Sequence, residues 1–96
     1  ENGTCVIDKL EDGKVHDKER IQYFKDHLNA VLKAKNEGVN VNGYFVWSLT
    51  DNFEWDKGFR PRFGIVHVDY ENDLKRTIKD SGYWYRDQIK NNGQAI

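Results

Sequence analysis

The stretch Val41-Asn42-Gly43-Tyr44-Phe45-Val46-Trp47-Ser48-Leu49 decides how this chain is built. From Tyr44 onward it is nearly continuous in apolar and β-forming residues. A strand with one face in water alternates apolar and polar side chains, whereas a strand covered on both faces need not. The expectation is a central parallel strand, with Gly43 letting a neighbour approach closely.

Upstream, Ile21, Phe24, Leu28, Val31 and Leu32 recur at helical spacing and form one apolar stripe. Asp17 stands where an N-cap belongs and Gly38 where a C′ glycine belongs, which predicts a helix over 18–37. Residues 1–16 read as a loop, with a small hairpin around Asp12-Gly13. Downstream, residues 50–79 lack helical periodicity, and a connection that long is often functional. Within it, Ile65, Val66, Val68 and Tyr70 suit a short extended segment, followed by a turn at Glu71-Asn72-Asp73. Asp80 or Ser81 then caps a last helix through Trp84, Tyr85 and Ile89, ending near Gly93.

The order loop, helix, strand, long loop, helix gives an α/β class. One helix with one apolar face cannot cover both faces of a central strand. The 96 residues therefore read as a single portion of a larger sheet or barrel, with no separate domains. There is no Met, so the chain reads as a fragment, a processed product or a trimmed piece. Any targeting segment would have been lost with a missing N-terminus, and compartment is not legible.

Composition excludes several functions. A net charge of −1 gives no basic footprint for nucleic acid or an anionic membrane. Mean hydropathy is −0.89, and no run is long and apolar enough to span a bilayer. Cys5 is alone, so an intramolecular disulfide is excluded and a packing role is expected. His16, His27 and His67 have no zinc-site spacing, and surface or packing roles are expected for each. No metal or cofactor is called for.

The long loop begins at the C-terminal end of the strand, where sites sit in α/β architectures. There the sequence reads Trp47-Ser48-Leu49-Thr50-Asp51-Asn52-Phe53-Glu54-Trp55, followed by Phe59 and Phe63. Aromatics interleaved with carboxylates and an amide suit a sugar. Its C–H faces stack on rings, and its hydroxyls need fixed acceptors and donors. The same residues also fit core packing, a minor aromatic cluster and solvated carboxylates.

Trp47-Ser48-Leu49, with Asp51 to Trp55, closely resembles the signature of glycoside hydrolase family 1, the retaining β-glucosidases. Glu1-Asn2-Gly3 resembles the motif that follows strand seven of that family's (β/α)8 barrel. Arg62 to Val66, Asp69-Tyr70, Lys79-Asp80-Ser81 and Trp84-Tyr85 resemble its C-terminal run. The resemblance covers almost the whole chain, in order. It implies the loop after strand 7, helix 7, strand 8, its long loop and helix 8.

It also implies roles. Glu1 matches the nucleophile, Trp47 the platform beneath the −1 sugar, and Glu54 a carboxylate binding two remote hydroxyls. Trp55 matches an indole donating to a neighbouring hydroxyl, and Phe63 an aromatic near the hydroxymethyl group. The substrate implied is a β-glucoside or oligosaccharide, with β-galactosides and β-fucosides open. A carboxylate at Glu54 should repel a 6-phosphorylated sugar. The family's acid/base lies in an Asn-Glu-Pro motif, and this sequence, whose one proline is Pro61, has none. The chain alone should then be inactive and need the N-terminal part of the barrel as its partner. A non-catalytic sugar-binding module or a pseudoenzyme fragment are the alternatives.

Overall fold

The computed structural model describes residues 1–93 of the chain. Its extents are 47 × 30 × 18 Å. The thinnest is about the depth of one helix layer on one layer of extended chain.

Residues 1–16 run as a loop with the expected hairpin. Glu11 and Lys14 exchange both backbone hydrogen bonds, at 2.8 and 2.9 Å. Asp12 and Gly13 between them have φ of 50° and 75°. Two consecutive positive φ values make this a turn of the primed kind, which Asp-Gly suits.

Helix α1 spans Lys18–Asn36. Its apolar stripe faces inward at Phe24, which is fully buried, while Ile21, Leu28 and Val31 are half-buried and Leu32 lies at the margin. Gly38, at φ 99°, follows the C-cap Glu37 as expected. The Asp17 side chain, expected to cap α1, does not. One of its oxygens accepts from Arg20 (2.6 Å) and the other from the Ser81 backbone N–H (2.9 Å). Asp17 therefore satisfies a free N–H in the first turn of the other helix.

The extended run over 41–49 makes isolated parallel bridges on either side of the predicted strand core, Asn2 with Val46 and Thr50 with Val66. It alternates after all. Tyr44 and Val46 are half-buried and Ser48 is buried, whereas Phe45 and Leu49 are 74% and 67% exposed. As one helix with one apolar face predicts, the described residues cover only one side of it. Both faces are apolar, but only one has a layer against it. Gly43 is not the point of close approach either, since a Cβ there would meet only the Phe45 ring at 3.6 Å. Gly3 and Gly64 are those points: a Cβ would run into the Trp47 carbonyl at Gly3 and into the Thr50–Asp51 backbone at Gly64.

Residues 50–79 carry more structure than expected. A short 3-10 turn covers Trp55–Lys57, and β1 (Val66–Asp69) pairs antiparallel with β2 (Lys75–Ile78), Val66 opposite Ile78. β1 was legible from its apolar residues. β2, reading Lys-Arg-Thr-Ile, was not, because pairing rather than burial makes it a strand. Helix α2 spans Asp80–Asn91. Neither Asp80 nor Ser81 caps it; the N-cap position is Lys79, and no side chain of that residue bonds back. It ends as expected, with Asn92 left-handed and the Gly93 N–H on the Gln88 carbonyl at 2.9 Å.

The buried apolar core comprises Val15, Phe24, Ile65 and Val68. Phe24 stacks toward Trp84 and Tyr85 of α2, with ring centroids 6.4 Å away in each case. Much else that is apolar, including Phe45, Leu49, Phe53, Trp55 and Ile89, lies exposed. A layer with that much apolar surface on view is one side of an interface.

Candidate active site

Asn2 fixes the start of the chain against the extended run. Its N–H donates to the Phe45 carbonyl (2.9 Å), and its carbonyl accepts from Trp47 N–H (2.7 Å). Residues directly opposite in a parallel pair share a face, and neighbours along the chain alternate. Asn2 and Val46 share the face toward the helices. In that register Glu1 lies opposite Phe45, and Gly3 opposite Trp47. Glu1 is exposed, and Trp47 is 36% exposed. The peptide between Trp47 and Ser48 is cis.

Phe63 is brought next to Trp47 by backbone pairing. Ser48 N–H donates to the Phe63 carbonyl (3.0 Å), and Ile65 N–H donates to that of Ser48 (3.0 Å). The chain between them forms a closed loop. Glu54 N–H donates to the Gly58 carbonyl at 2.7 Å, which makes the tip. Glu54 is half-buried and Trp55, at φ 48°, is 81% exposed. Glu1, Trp47 and Phe63 are thus linked through adjacent backbone segments, while Glu54 and Trp55 stand apart at the tip. Phe53, Phe59 and Tyr70 brace that loop from behind, with successive centroids 5.1 and 4.7 Å apart, and Arg62 lies 4.7 Å over the Tyr70 ring. Clefts border these segments. One of about 410 Å³ includes Glu1 and Phe45 with Ala30 and Ala34 of α1, and another, of about 370 Å³, runs between α1 and α2.

What holds the loop is a buried chain of six charged residues that sequence reading missed. Lys79 Nζ donates to Asp8 (2.7 Å) and Asp51 (2.8 Å). Arg62 donates to Asp51 (2.5 Å) and to the Val68 carbonyl (2.8 Å). Arg20 donates to Asp8 (3.0 and 2.9 Å), to Asp17 (2.6 Å) and to the Arg62 carbonyl (2.8 Å). The Asp51 carboxylate also accepts from Gly64 N–H (3.1 Å) and Val68 N–H (3.3 Å), which closes residues 51–64 into a loop. Burial alone would raise the Asp51 pKa. Lys79, then Arg62 and the Val68 N–H, outweigh it and hold the carboxyl below the usual range. Burial likewise works against the Arg20 cation, and Asp8 and Asp17 more than offset it. Asp51 stood in the loop motif, but nothing local marks it as buried. Its partners are 11 and 28 residues away.

The histidines hold separate places. His16 bonds Asp80 (2.7 Å), and His27 bonds the Tyr23 carbonyl (2.8 Å). His67 is buried, and its Nδ1 has no partner among the described residues. Cys5, expected to pack, is exposed. Among the described residues no group of three or more His, Cys, Asp or Glu is placed to hold a metal ion, and no helix is long and apolar enough to cross a membrane.

Comparison with known proteins bears on this geometry. The β-glucosidase A of Thermotoga maritima is 57% identical over 94 residues, covering 97% of this chain and 21% of that protein. A solved family 1 β-glucosidase structure from Thermotoga maritima superposes with a TM-score of 0.93 at 55% identity, over 96% of this chain and 21% of that one. The 6-phospho-β-galactosidase of Clostridium acetobutylicum is 49% identical, over 90% of this chain and 18% of that protein. The chain thus spans about 21% of the length of the β-glucosidase it matches. Its open apolar face is the face of a strand in a (β/α)8 barrel, and its helices and extended runs are the C-terminal part of that barrel. The family model described as glycosyl hydrolase family 1 matches residues 1–94, and with fold and sequence in agreement the chain belongs to that family.

Proposed function

We propose that this chain supplies the nucleophile and much of the sugar-binding wall of a retaining β-glycosidase, as one portion of a single catalytic barrel over residues 1–96. The observation that supports the reading is the pairing of Asn2 with Val46, which sets the Glu1-Asn2-Gly3 segment alongside the run that carries Trp47. A carboxylate beside an indole platform is what attack on a sugar's anomeric carbon needs.

In this reading Glu1 attacks the anomeric carbon and forms a glycosyl-enzyme as the aglycone leaves. A second carboxyl group, about 5–5.5 Å away, protonates the leaving oxygen and then activates water. That group would come from the rest of the barrel, as would the remaining sugar contacts, so the chain alone would be inactive. Trp47 stacks under the ring, and Phe63 lines the hydroxymethyl side. Glu54 and Trp55 hold remote hydroxyls, whose binding helps distort the ring toward the transition state. The substrates proposed are neutral β-glucosides, with β-galactosides and β-fucosides also accepted. A 6-phosphate would meet the Glu54 carboxylate. No cofactor or metal takes part.

The test is covalent trapping in the complete barrel carrying this sequence, using an activated 2-deoxy-2-fluoro-β-glucoside. Peptide mapping should find the sugar on Glu1, and Glu1→Gln should abolish labelling. A label on another residue, or an anomerically inverted product by NMR, would sink the proposal.

A further inference from the structure

We propose that Asn2 is a positioning residue that sets Glu1 against Trp47, and that Tyr44 and Tyr23 hold it in place; this rests on reading Glu1 as the nucleophile. Every hydrogen-bonding group type on Asn2 is engaged. Its backbone N–H donates to the Phe45 carbonyl (2.9 Å) and its carbonyl accepts from Trp47 N–H (2.7 Å). Its side-chain oxygen accepts from the Tyr44 hydroxyl (2.6 Å), and its amide nitrogen donates to the Tyr23 hydroxyl (3.1 Å).

The anchors come from different elements. Tyr44 is on the extended run, and Tyr23 is on α1, where its ring stacks on His27 with centroids 3.8 Å apart. Tyr85 of α2 stands behind Tyr44 at 6.5 Å. Burial, then Tyr85 and Tyr23, push the Tyr44 hydroxyl up to about 12, so it stays a donor through the working pH range. One residue thus takes hold of the Trp47 backbone with its carbonyl and shares a peptide plane with Glu1. With Asn2 held this way the peptide that joins it to Glu1 is fixed, so the Glu1 carboxylate can move only by rotation about that residue's own bonds. At Gly3, on the other side of Asn2, a Cβ would collide with the Trp47 carbonyl, so the two segments pack backbone to backbone there. Displacing a reacting group by about 1 Å can cost on the order of 100-fold in rate.

The experiment uses the complete barrel carrying Asn2→Ala, Tyr44→Phe or Tyr23→Phe. It measures the rate of trapping by the fluoroglucoside per titratable site, together with the inhibition constant of a neutral competitive glucose analogue. Positioning predicts that trapping slows about 10- to 100-fold in Asn2→Ala and less in the tyrosine variants, with inhibitor binding changed less than about threefold. A purely structural role would lower the melting temperature and the number of titratable sites but leave the rate per site unchanged, and that result overturns the proposal. If Asn2→Ala does not fold, Tyr44→Phe, which removes one oxygen atom, decides by the same readout. A label on Glu1 with unchanged rates refutes positioning alone; a label elsewhere in the unsubstituted protein refutes the nucleophile reading and this one with it.

Discussion

Lys79 Nζ lies 2.8 Å from Asp51 Oδ1, and both side chains are fully buried. The contact joins the residue before α2 to the start of the loop that carries Glu54, Trp55 and Phe63. Through Asp8, 2.7 Å from the same ammonium, it also reaches the segment that begins at Glu1. Buried ion pairs are weak stabilisers compared with a well-packed apolar replacement, but removing one partner leaves a charge stranded. The network's contribution is therefore mainly to geometry: it lets the loop close in one way.

Lys79→Met should leave three carboxylates, Asp8, Asp17 and Asp51, sharing the two remaining cations, Arg20 and Arg62. The expected loss is about 3–5 kcal/mol, the range seen when one partner of a buried pair is removed. Urea unfolding of the complete barrel would measure it. A loss comparable to that of a surface lysine would contradict the buried network.

Acid should weaken the fold in two steps. His67 has its pKa lowered, first by burial and then by Arg62. Its neutral form is favoured in the fold, so its contribution is complete above the unfolded value of about 6.5 and is lost as pH falls toward the lower folded value. Asp51 is also depressed, so its contribution is complete above about 3.9 and is lost as pH falls through its folded pKa. Urea midpoints between pH 8 and 3 should fall in both windows. His67→Gln should flatten the upper one alone.

Gly64→Ala should cost far more than Gly13→Ala. A Cβ on Gly64 would lie 2.5 Å from the Thr50 carbonyl carbon and 2.9 Å from Asp51 Oδ1. Gly13 has open space around it and suffers only from its φ of 75°, a cost on the order of 1 kcal/mol. Thermal melts of the two variants should rank them in that order, and equal losses would show that the loop can yield at Gly64.

Glu54→Gln should invert selectivity. Hydrogen bonds to a charged group contribute about 1.5–3 kcal/mol, so kcat/KM for a plain β-glucoside should drop by about 10- to 150-fold. Activity on the 6-phospho-glucoside should rise as the like charge disappears. Family membership does not decide this point, because a 6-phospho-β-galactosidase is 49% identical. If the unsubstituted enzyme already prefers the phosphorylated sugar, the specificity proposed for Glu54 is wrong.

The sequence by itself determined a good deal. The stripe from Ile21 to Leu32 set α1, and Asp12-Gly13 set the first hairpin. The run from Tyr44 to Leu49 announced a segment whose two faces are both apolar. The register of Glu1-Asn2-Gly3 with Trp47 to Trp55 carried the family. These features are local: periodicity, turn chemistry and a motif act over a few residues.

The tertiary structure alone decided the rest. It joined Asp8, Asp17, Arg20, Asp51, Arg62 and Lys79 into a buried network, gave the cap read at Asp17 to α2 instead of α1, and made a strand of Lys75–Ile78. It also revealed that Asn2 is gripped from two segments, α1 and the extended run. A charged residue carries no local sign of whether it will meet water or a partner dozens of residues away. Only the folded chain, by bringing those partners together and excluding solvent from them, settles which it is.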